Sequence, residues 1–267
     1  MKRRHNLSVL LASLLLTSSN LFAFTLMGSD QDKGMAIAKE SDLRDRGWTD
    51  SISEMKMTLR NRSGDESIRE LRISNLEVAN DGDKSLTVFD SPKDVRGTGF
   101  LSFSHINEAD DQWLYLPALK RVKRISSKNK SGPFMGSEFS FEDLSSFEVD
   151  KYDYRYLGEE IINSIVSYKL EMTPRYQHSG YTRLVTWVDQ KEFRIQQIQF
   201  YDRKKTLLKT QTYKNYRHYL GQYWRAHTME MSNHQTGKFT MLEFDDYKFQ
   251  TGLNEQAFKK NALKRSR

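Results

Sequence analysis

The feature that most constrains this chain is a two-residue alternation of apolar and polar side chains that begins near residue 50. Met55, Met57 and Leu59 alternate with charged and hydroxyl residues, which is typical of a strand with one buried and one wet face. Similar segments recur to about residue 247, separated by turn sequences rich in Asn, Asp and Gly. Strand–helix–strand alternation does not occur, which argues against a nucleotide-binding α/β fold. Short strands with regular turn signals predict a mostly β, antiparallel sandwich or barrel.

Three segments interrupt the strand pattern. Residues 30–47 predict a helix that Asp30 or Asp32 caps and Gly47 ends, because apolar residues recur there at near-helical spacing. Residues 139–147 predict a short helix or an irregular segment. Residues 254–264 predict a terminal helix with Asn254 as its cap. The expected class is therefore α+β with a dominant sheet.

The first 23 residues have the pattern of an export signal. A charged start is followed by an apolar stretch over residues 7–16, and Ala23 is the expected last residue before cleavage. The alternative is a membrane anchor, but the apolar run is shorter than the about 20 residues that span a bilayer. We expect a cleaved signal peptide over 1–23, a single domain over 24–267, and a periplasmic protein of a Gram-negative bacterium with peripheral membrane contact only.

Motifs for catalysis and metal binding are absent from the sequence. The chain has no cysteine, which excludes disulfides, thiolate metal sites, a cysteine nucleophile and a lipidated N-terminal cysteine. Its six histidines have no metal-ligand spacing, and there is neither a nucleophile elbow nor a phosphate or dinucleotide loop. We therefore expect no enzymatic activity, no metal and no cofactor.

The basic residues of the chain are concentrated in a few places. The formal net charge is +7, but its excess lies at the N-terminus and in residues 259–267. Within the nearly neutral body, Lys120, Arg121, Lys123 and Arg124 follow an aromatic segment. They fit either a solvated edge strand that charge protects from edge pairing, or a patch that contacts lipid head groups or an acidic partner. The export signal and the neutral body argue against nucleic acid as a partner.

Residues 126–137 predict a flexible loop with one apolar pair, Phe134 and Met135, between Gly132 and Gly136. One interpretation is a loop that packs onto the core of the protein. The other is a mobile lid over an apolar cavity, since an exposed apolar pair would otherwise remain in water.

Three segments resemble one known family. Residues 93–102 (KDVRGTGFLS), 111–125 (DQWLYLPALKRVKRI) and 131–144 (SGPFMGSEFSFEDL) look like the outer-membrane lipoprotein-sorting proteins, relatives of the lipoprotein carriers LolA and LolB. The resemblance implies an incompletely closed antiparallel β-barrel with helices forming a lid, which shields acyl chains in an apolar concavity. It also implies export and a link to large lipid-exporting inner-membrane transporters of the RND or MMPL type. The chain is longer than LolA and lacks the anchoring cysteine of LolB, so a soluble shuttle is the better analogy and the cargo stays open.

The leading hypothesis is a periplasmic carrier that binds lipid or lipidated protein in an apolar half-barrel cavity and shuttles it toward the outer membrane. The alternatives are a non-carrier accessory subunit of an inner-membrane lipid-exporting transporter, and a periplasmic enzyme that acts on lipid. Strand alternation and the apolar loop predict the cavity and lid residues, which are Met55, Met57, Leu59, Leu71, Ile73, Trp113, Tyr115, Phe134 and Met135.

Overall fold

The computed structural model of the protein describes residues 24–264. The predicted signal peptide and the last three residues lie outside the described residues. No helix within this described part combines the length and the apolar character that crossing a bilayer requires.

The described chain begins with one α-helix, α1 (Asp30–Arg44). Its N-cap is Ser29, whose hydroxyl accepts a hydrogen bond from the Asp32 N–H at 3.2 Å, while the Ser29 N–H donates to the Asp32 carboxylate at 3.0 Å. This reciprocal capping box satisfies two free N–H groups and places the cap upstream of the expected one. The helix ends at Arg44, before Gly47, which adopts a φ of 96°.

In the described part of the chain, thirteen antiparallel strands form one sheet. They are β1 (Asp50–Arg60), β2 (Glu66–Leu76), β3 (Lys84–Ser91), β4 (Gly99–Phe103), β5 (Asp111–Leu116), β6 (Arg121–Ile125), β7 (Tyr152–Ile162), β8 (Ile165–Pro174), β9 (Tyr181–Asp189), β10 (Ile195–Asp202), β11 (Leu207–Tyr219), β12 (Tyr223–Asn233) and β13 (Phe239–Phe249). Two meanders, β1 to β6 and β7 to β13, are joined where β1 pairs with β13. Within residues 24–264, β6 and β7 are the free edges, which confirms the predicted incompletely closed antiparallel barrel.

Strand boundaries follow the alternation except where a residue within a strand interrupts it. The predicted strand over 181–189 coincides with β9. By contrast, β11 continues to Tyr219, past its predicted end at Tyr213. Asn215 has a φ of 56°, and the pairing with β12 is interrupted at Asn215 and at His227 opposite it, with the same register on both sides. The left-handed conformation of Asn215 breaks the two-residue alternation and hides the rest of the strand from pattern analysis.

The predicted terminal helix over 254–264 is wrong. The segment forms two 3-10 turns, Glu255–Phe258 and Ala262–Lys264, separated by extended backbone at Lys259. Phe258 and Leu263 are both fully buried, and residues five positions apart cannot share one face of a straight α-helix. Asn254 does cap the first turn, since its side chain accepts from the Gln256 N–H at 3.0 Å.

Apolar side chains pack on both faces of the sheet. The larger cluster joins strands of both meanders with α1 and includes Phe100, Phe200 and Leu242, so it lies inside the open barrel. A second cluster lies on the outer face of β3 to β5, where Trp113 and Tyr115 pack against the C-terminal turns. The core is therefore divided by the sheet, and only the inner part faces the barrel interior.

Candidate ligand-binding cavity

The interior of the open barrel is not completely filled. A cavity of about 740 Å³ lies between the C-terminal end of α1, the β9–β10 turn and strands β10 to β13. Its volume is within the range of about 300–1,000 Å³ that is usual for small-molecule sites. The ring-bearing residues that line it are Trp48, Phe193, Tyr213, Tyr216, His218, Trp224 and Tyr247.

Positive charge in the cavity wall comes from Arg44, Arg194 and Arg225. The guanidinium of Arg194 lies 4.4 Å from the centre of the Trp224 ring. The guanidinium of Arg225 lies 5.7 Å from the Trp48 ring. Aromatic faces attract a cation most strongly where water is excluded, so these rings stabilise the two guanidinium groups next to the cavity.

For several carboxyl groups near the cavity, the cost of burying a negative charge is only partly compensated by neighbouring groups. Burial raises the pKa of Asp45, although Arg225 Nη1 donates to it at 2.5 Å and offsets part of the effect. Burial also raises the pKa of Asp83 to about 7. The pKa of Glu148 is raised to about 7 by burial and by the charge of Asp83. Asp83 and Glu148 are therefore partly protonated near neutral pH in the folded protein.

A long connection covers the concave face of the sheet. Residues 126–151, called the crossing segment, link the two free edge strands β6 and β7. A smaller cavity of about 130 Å³ lies beneath this segment and shares Ser146, Ile195 and Tyr213 with the larger cavity. The crossing segment, with its short 3-10 turns, and α1 together form the lid of the barrel.

Buried polar contacts anchor the crossing segment to the sheet. Lys209 Nζ donates to Asp143 at 2.5 Å, and both side chains are almost fully buried. The Tyr181 hydroxyl donates to the same carboxylate at 2.6 Å. Nearby, the ammonium of Lys130 lies 3.7 Å from Asp110, again with both groups buried. Loss of one partner of a buried ion pair strongly destabilises the folded protein, so these pairs fix the position of the crossing segment on the sheet.

The Phe134 loop, part of the crossing segment, is packed onto the core. Phe134 is 1% exposed, and its ring centre lies 5.1 Å from that of Phe100 and 5.9 Å from that of Phe89. Arg69 Nη1 donates to the Met135 carbonyl at 2.5 Å. This arrangement matches the first interpretation of the loop, in which the apolar pair is buried against the protein itself.

The structure groups seven of the nine predicted cavity residues and separates the other two. The seven in or against the interior cluster are Met55, Met57, Leu59, Leu71, Ile73, Phe134 and Met135. Trp113 and Tyr115 belong to the cluster on the outer face. None of the nine lines the larger cavity or the smaller one beneath the crossing segment, and their contact with a ligand stays a prediction.

The predicted basic patch lies on the free edge of the sheet. Lys120, Arg121 and Lys123 are exposed, and within residues 24–264 they form no salt bridge. Arg124 is paired with Asp111 across β5 and β6. The C-terminal Lys260 lies 4.2 Å from the ring centre of Trp113, on the strand next to β6. The role of the patch in binding stays a prediction.

Sequence reasoning missed the residues that line the larger cavity. A signal was present in residues 213–225, where aromatic and basic residues crowd the end of one strand and the start of the next. The left-handed residue Asn215 interrupts the alternation that would have assigned Tyr216 and His218 to a face. Contacts such as that of Arg225 with Asp45 join residues far apart in the chain, and no local pattern reports them.

The side chains that the structure describes were also compared with the arrangements that bind metal ions. Among them, no group of three or more His, Asp or Glu side chains could hold a metal ion.

An open antiparallel barrel with a lid over an interior cavity defines the class of LolA-like proteins. A LolA superfamily protein from Nitrosomonas europaea, 22% identical, has the same fold, with a TM-score of 0.69 over 86% of this chain and 98% of its own.

Two further solved structures have higher sequence identity. An outer membrane lipoprotein-sorting protein domain from Vibrio parahaemolyticus is 57% identical over 88% of this chain and 99% of its own, with a TM-score of 0.86. A DUF1329 family protein from Desulfovibrio piger is 32% identical over 88% and 100%, with a TM-score of 0.84. The chain therefore belongs to this DUF1329 family of lipoprotein-sorting-like proteins with the LolA fold.

A family model described as that of an uncharacterized protein matches residues 81–265. No curated protein matches the chain. The resemblance drawn from residues 93–144 is thus confirmed by the solved structures.

Proposed function

We propose that the protein is a periplasmic carrier that holds a lipid, or the acyl chains of a lipidated protein, and moves it toward the outer membrane. The observation that carries this proposal is the cavity of about 740 Å³ between the lid and the concave face of the sheet. The name of the 57% identical relative, a lipoprotein-sorting protein domain, supports the same class of cargo. The export pattern of residues 1–23 supports the periplasm.

Holding an acyl chain requires burial and no catalytic group. Each methylene removed from water contributes about 0.8 kcal/mol, so roughly ten contribute about 8 kcal/mol before the entropic cost of association. Ile195 and Met229 in the larger cavity, and Leu184, Ile198 and Phe200 in the smaller one, offer apolar surface. None of the three relatives carries the name of an enzyme, which supports a carrier over a lipid-acting enzyme.

The test is lipid occupancy and uptake. Mass spectrometry of gently purified protein should show a co-purifying lipid, and a fluorescent fatty-acid probe should bind. Met229→Trp fills the larger cavity and should weaken probe binding about tenfold or more, if several methylenes lose their place. Ile161→Trp, at a residue that is 68% exposed, serves as the control. A protein with neither lipid nor probe binding would not be a carrier.

The exposed basic edge favours one second candidate, an accessory subunit that docks on an inner-membrane lipid exporter of the RND or MMPL type. Lys120, Arg121 and Lys123 have no acidic partner among the described residues, so they are free to meet one on another protein. The double substitution Arg121→Glu with Lys123→Glu should abolish association with the exporter and leave probe binding intact. Unchanged association would remove this candidate.

A further inference from the structure

The larger cavity holds arginine donors that the protein itself does not use. Arg194 Nε donates to Asp189 at 2.7 Å, but its Nη1 and Nη2 groups make no hydrogen bond to any residue from 24 to 264. Arg225 Nη1 donates to Asp45 and to the Trp224 carbonyl, while its Nε and Nη2 have no acceptor in the same range. Both side chains line the cavity.

The side chains that carry these two guanidinium groups are largely buried. The side chain of Arg194 is 19% exposed and that of Arg225 is 17% exposed. A partly buried donor without an acceptor is unfavourable unless water or a ligand supplies one. The planar fork of arginine matches the two oxygens of a carboxylate or a phosphate better than any other side chain does.

A third arginine lies on the same rim. Arg44 Nε donates to Glu40 at 2.7 Å and its Nη1 donates to the Lys191 carbonyl at 2.9 Å. Its guanidinium lies 4.3 Å from the centre of the Phe193 ring. Arg44 thus lines the cavity at the end of α1, with its charge already paired with Glu40.

The lining also contains three acidic residues, Asp45, Asp83 and Glu192, whose charges offset those of the three arginines. Asp45 is paired with Arg225. Glu192 accepts from the Trp224 ring N–H at 3.3 Å. Asp83 has no cationic partner within the described part of the chain, and burial raises its pKa to about 7, so it is partly uncharged at neutral pH. The free guanidinium N–H groups of Arg194 and Arg225, and not a net positive charge, therefore favour an anionic ligand.

We propose that the cavity selects an anionic amphiphile, a molecule with a carboxylate or phosphate group on an acyl chain, and that Arg194 and Arg225 hold this group. The chain then extends past Tyr213 and Ile195, the side chains at which the larger and smaller cavities meet. This inference rests on the proposed carrier function and adds the charge of the cargo and the residues that recognise it.

The experiment compares probes that share one chain length. Isothermal titration of the protein with dodecanoic acid, dodecyl phosphate, monododecanoylglycerol and inorganic phosphate separates the head group from the chain. The two anionic amphiphiles should bind about tenfold or more tightly than the neutral one, as expected for a charge-assisted hydrogen bond. Dodecanoic acid against dodecyl phosphate distinguishes the two sources of charge, and weak binding of inorganic phosphate is expected, since it has no chain to bury.

Variants assign the preference to the arginines. Arg194→Gln and Arg225→Gln should each weaken anionic binding about tenfold and change neutral binding less than about twofold. Arg194→Lys keeps the charge but loses the planar fork, so its affinity for the anionic probes should lie between that of the glutamine variants and that of the wild type. Arg155→Gln removes an exposed arginine that is paired with Glu171 and does not line the cavity, and it should behave as wild type.

The outcomes separate the two proposals. Equal affinity of the wild type for neutral and anionic probes, or variants that weaken both in proportion, would overturn the anionic preference and leave the carrier function standing. Binding of no amphiphile at all would overturn the carrier function itself. If a glutamine variant does not fold, as shown by circular dichroism, the wild-type preference and its loss at high salt decide the question.

Discussion

The buried ion pair between Lys209 and Asp143 gives the sharpest test of how the lid is held. The side chains are 4% and 2% exposed, and Lys209 Nζ also donates to the Glu138 carbonyl at 2.9 Å. In Lys209→Met the Asp143 carboxylate keeps its hydrogen bonds from the Ser140 N–H and the Tyr181 hydroxyl, but loses its counter-charge. Removing one partner of a buried pair costs about 3–5 kcal/mol.

The assay is urea unfolding followed by circular dichroism, with the slope compared between variants to confirm a common transition. Lys214→Met is the matched control, because Lys214 lies on the same strand and pairs with Glu230 at 2.7 Å with 46% of its side chain exposed. That exposed pair should contribute about 0–1 kcal/mol.

A double variant isolates the charge. With Lys209→Met, the change Asp143→Asn removes the buried charge, keeps one side-chain oxygen for the Ser140 N–H and lets the Tyr181 hydroxyl accept from the new amide. The double variant should recover most of the free energy of unfolding that Lys209→Met loses, about 2 kcal/mol or more. If Lys209→Met costs under about 1 kcal/mol, or if the double variant is no more stable than the single one, the pair does not anchor the lid.

Three further predictions concern stability. Burial raises the pKa of Asp83 and Glu148 to about 7 from 3.8 and 4.5. The folded state therefore holds protons that the unfolded chain releases, and the stability that comes from these protons is lost as pH rises from about 4 to above 7. Asp83→Asn should flatten this decline and raise the urea midpoint at about pH 8, and an unchanged profile would contradict it. In Gly82→Ala the new Cβ would lie 2.7 Å from Glu148 Oε1 and 2.5 Å from the backbone carbonyl carbon of Ser104, which should lower stability by about 1–3 kcal/mol. An unchanged melting temperature would show that the backbone at Ser104 moves aside without cost. Phe258→Ala removes a 1% exposed ring from the outer cluster and should cost about 3–5 kcal/mol in urea, whereas a loss under about 1 kcal/mol would mean that the tail is not part of the core.

The strands were predictable because alternation is a local property of the chain. Met55, Met57 and Leu59 define β1, and their neighbours Glu54 and Lys56 are exposed. Turn sequences then separate one hairpin from the next. The overall barrel came from the resemblance in residues 93–144, since alternation alone does not distinguish a sandwich from an open barrel.

The faces of the strands were less predictable, for a physical reason. Both faces of β5 are buried, the inner one by Leu114 in the interior cluster and the outer one by Trp113 and Tyr115 beneath the C-terminal turns. A strand covered on both sides has no polar row to mark its outside. Two of the predicted cavity residues therefore lie on the face away from the barrel interior.

The cavity itself depends on contacts that the local pattern does not contain. Arg225 meets Asp45, and the β9–β10 turn meets α1 through Arg44 and the Lys191 carbonyl. These contacts follow from where the lid settles on the sheet. A cavity is the space that packing leaves open, so its lining is known only when the packing is known.

The position of β1 inside the sheet, next to the central strand β13, affects how the chain reaches its native state. β2 pairs with β1 as soon as the first hairpin forms, but the other edge of β1 must wait for β13, the last strand of the sheet to be synthesised. During that interval the first meander exposes an unpaired edge of eleven residues that carries Met55 and Met57. An exposed, partly apolar strand edge pairs readily with the same strand of another molecule. The partly paired chain is therefore prone to aggregate at a strand that later lies inside the sheet, paired on both edges.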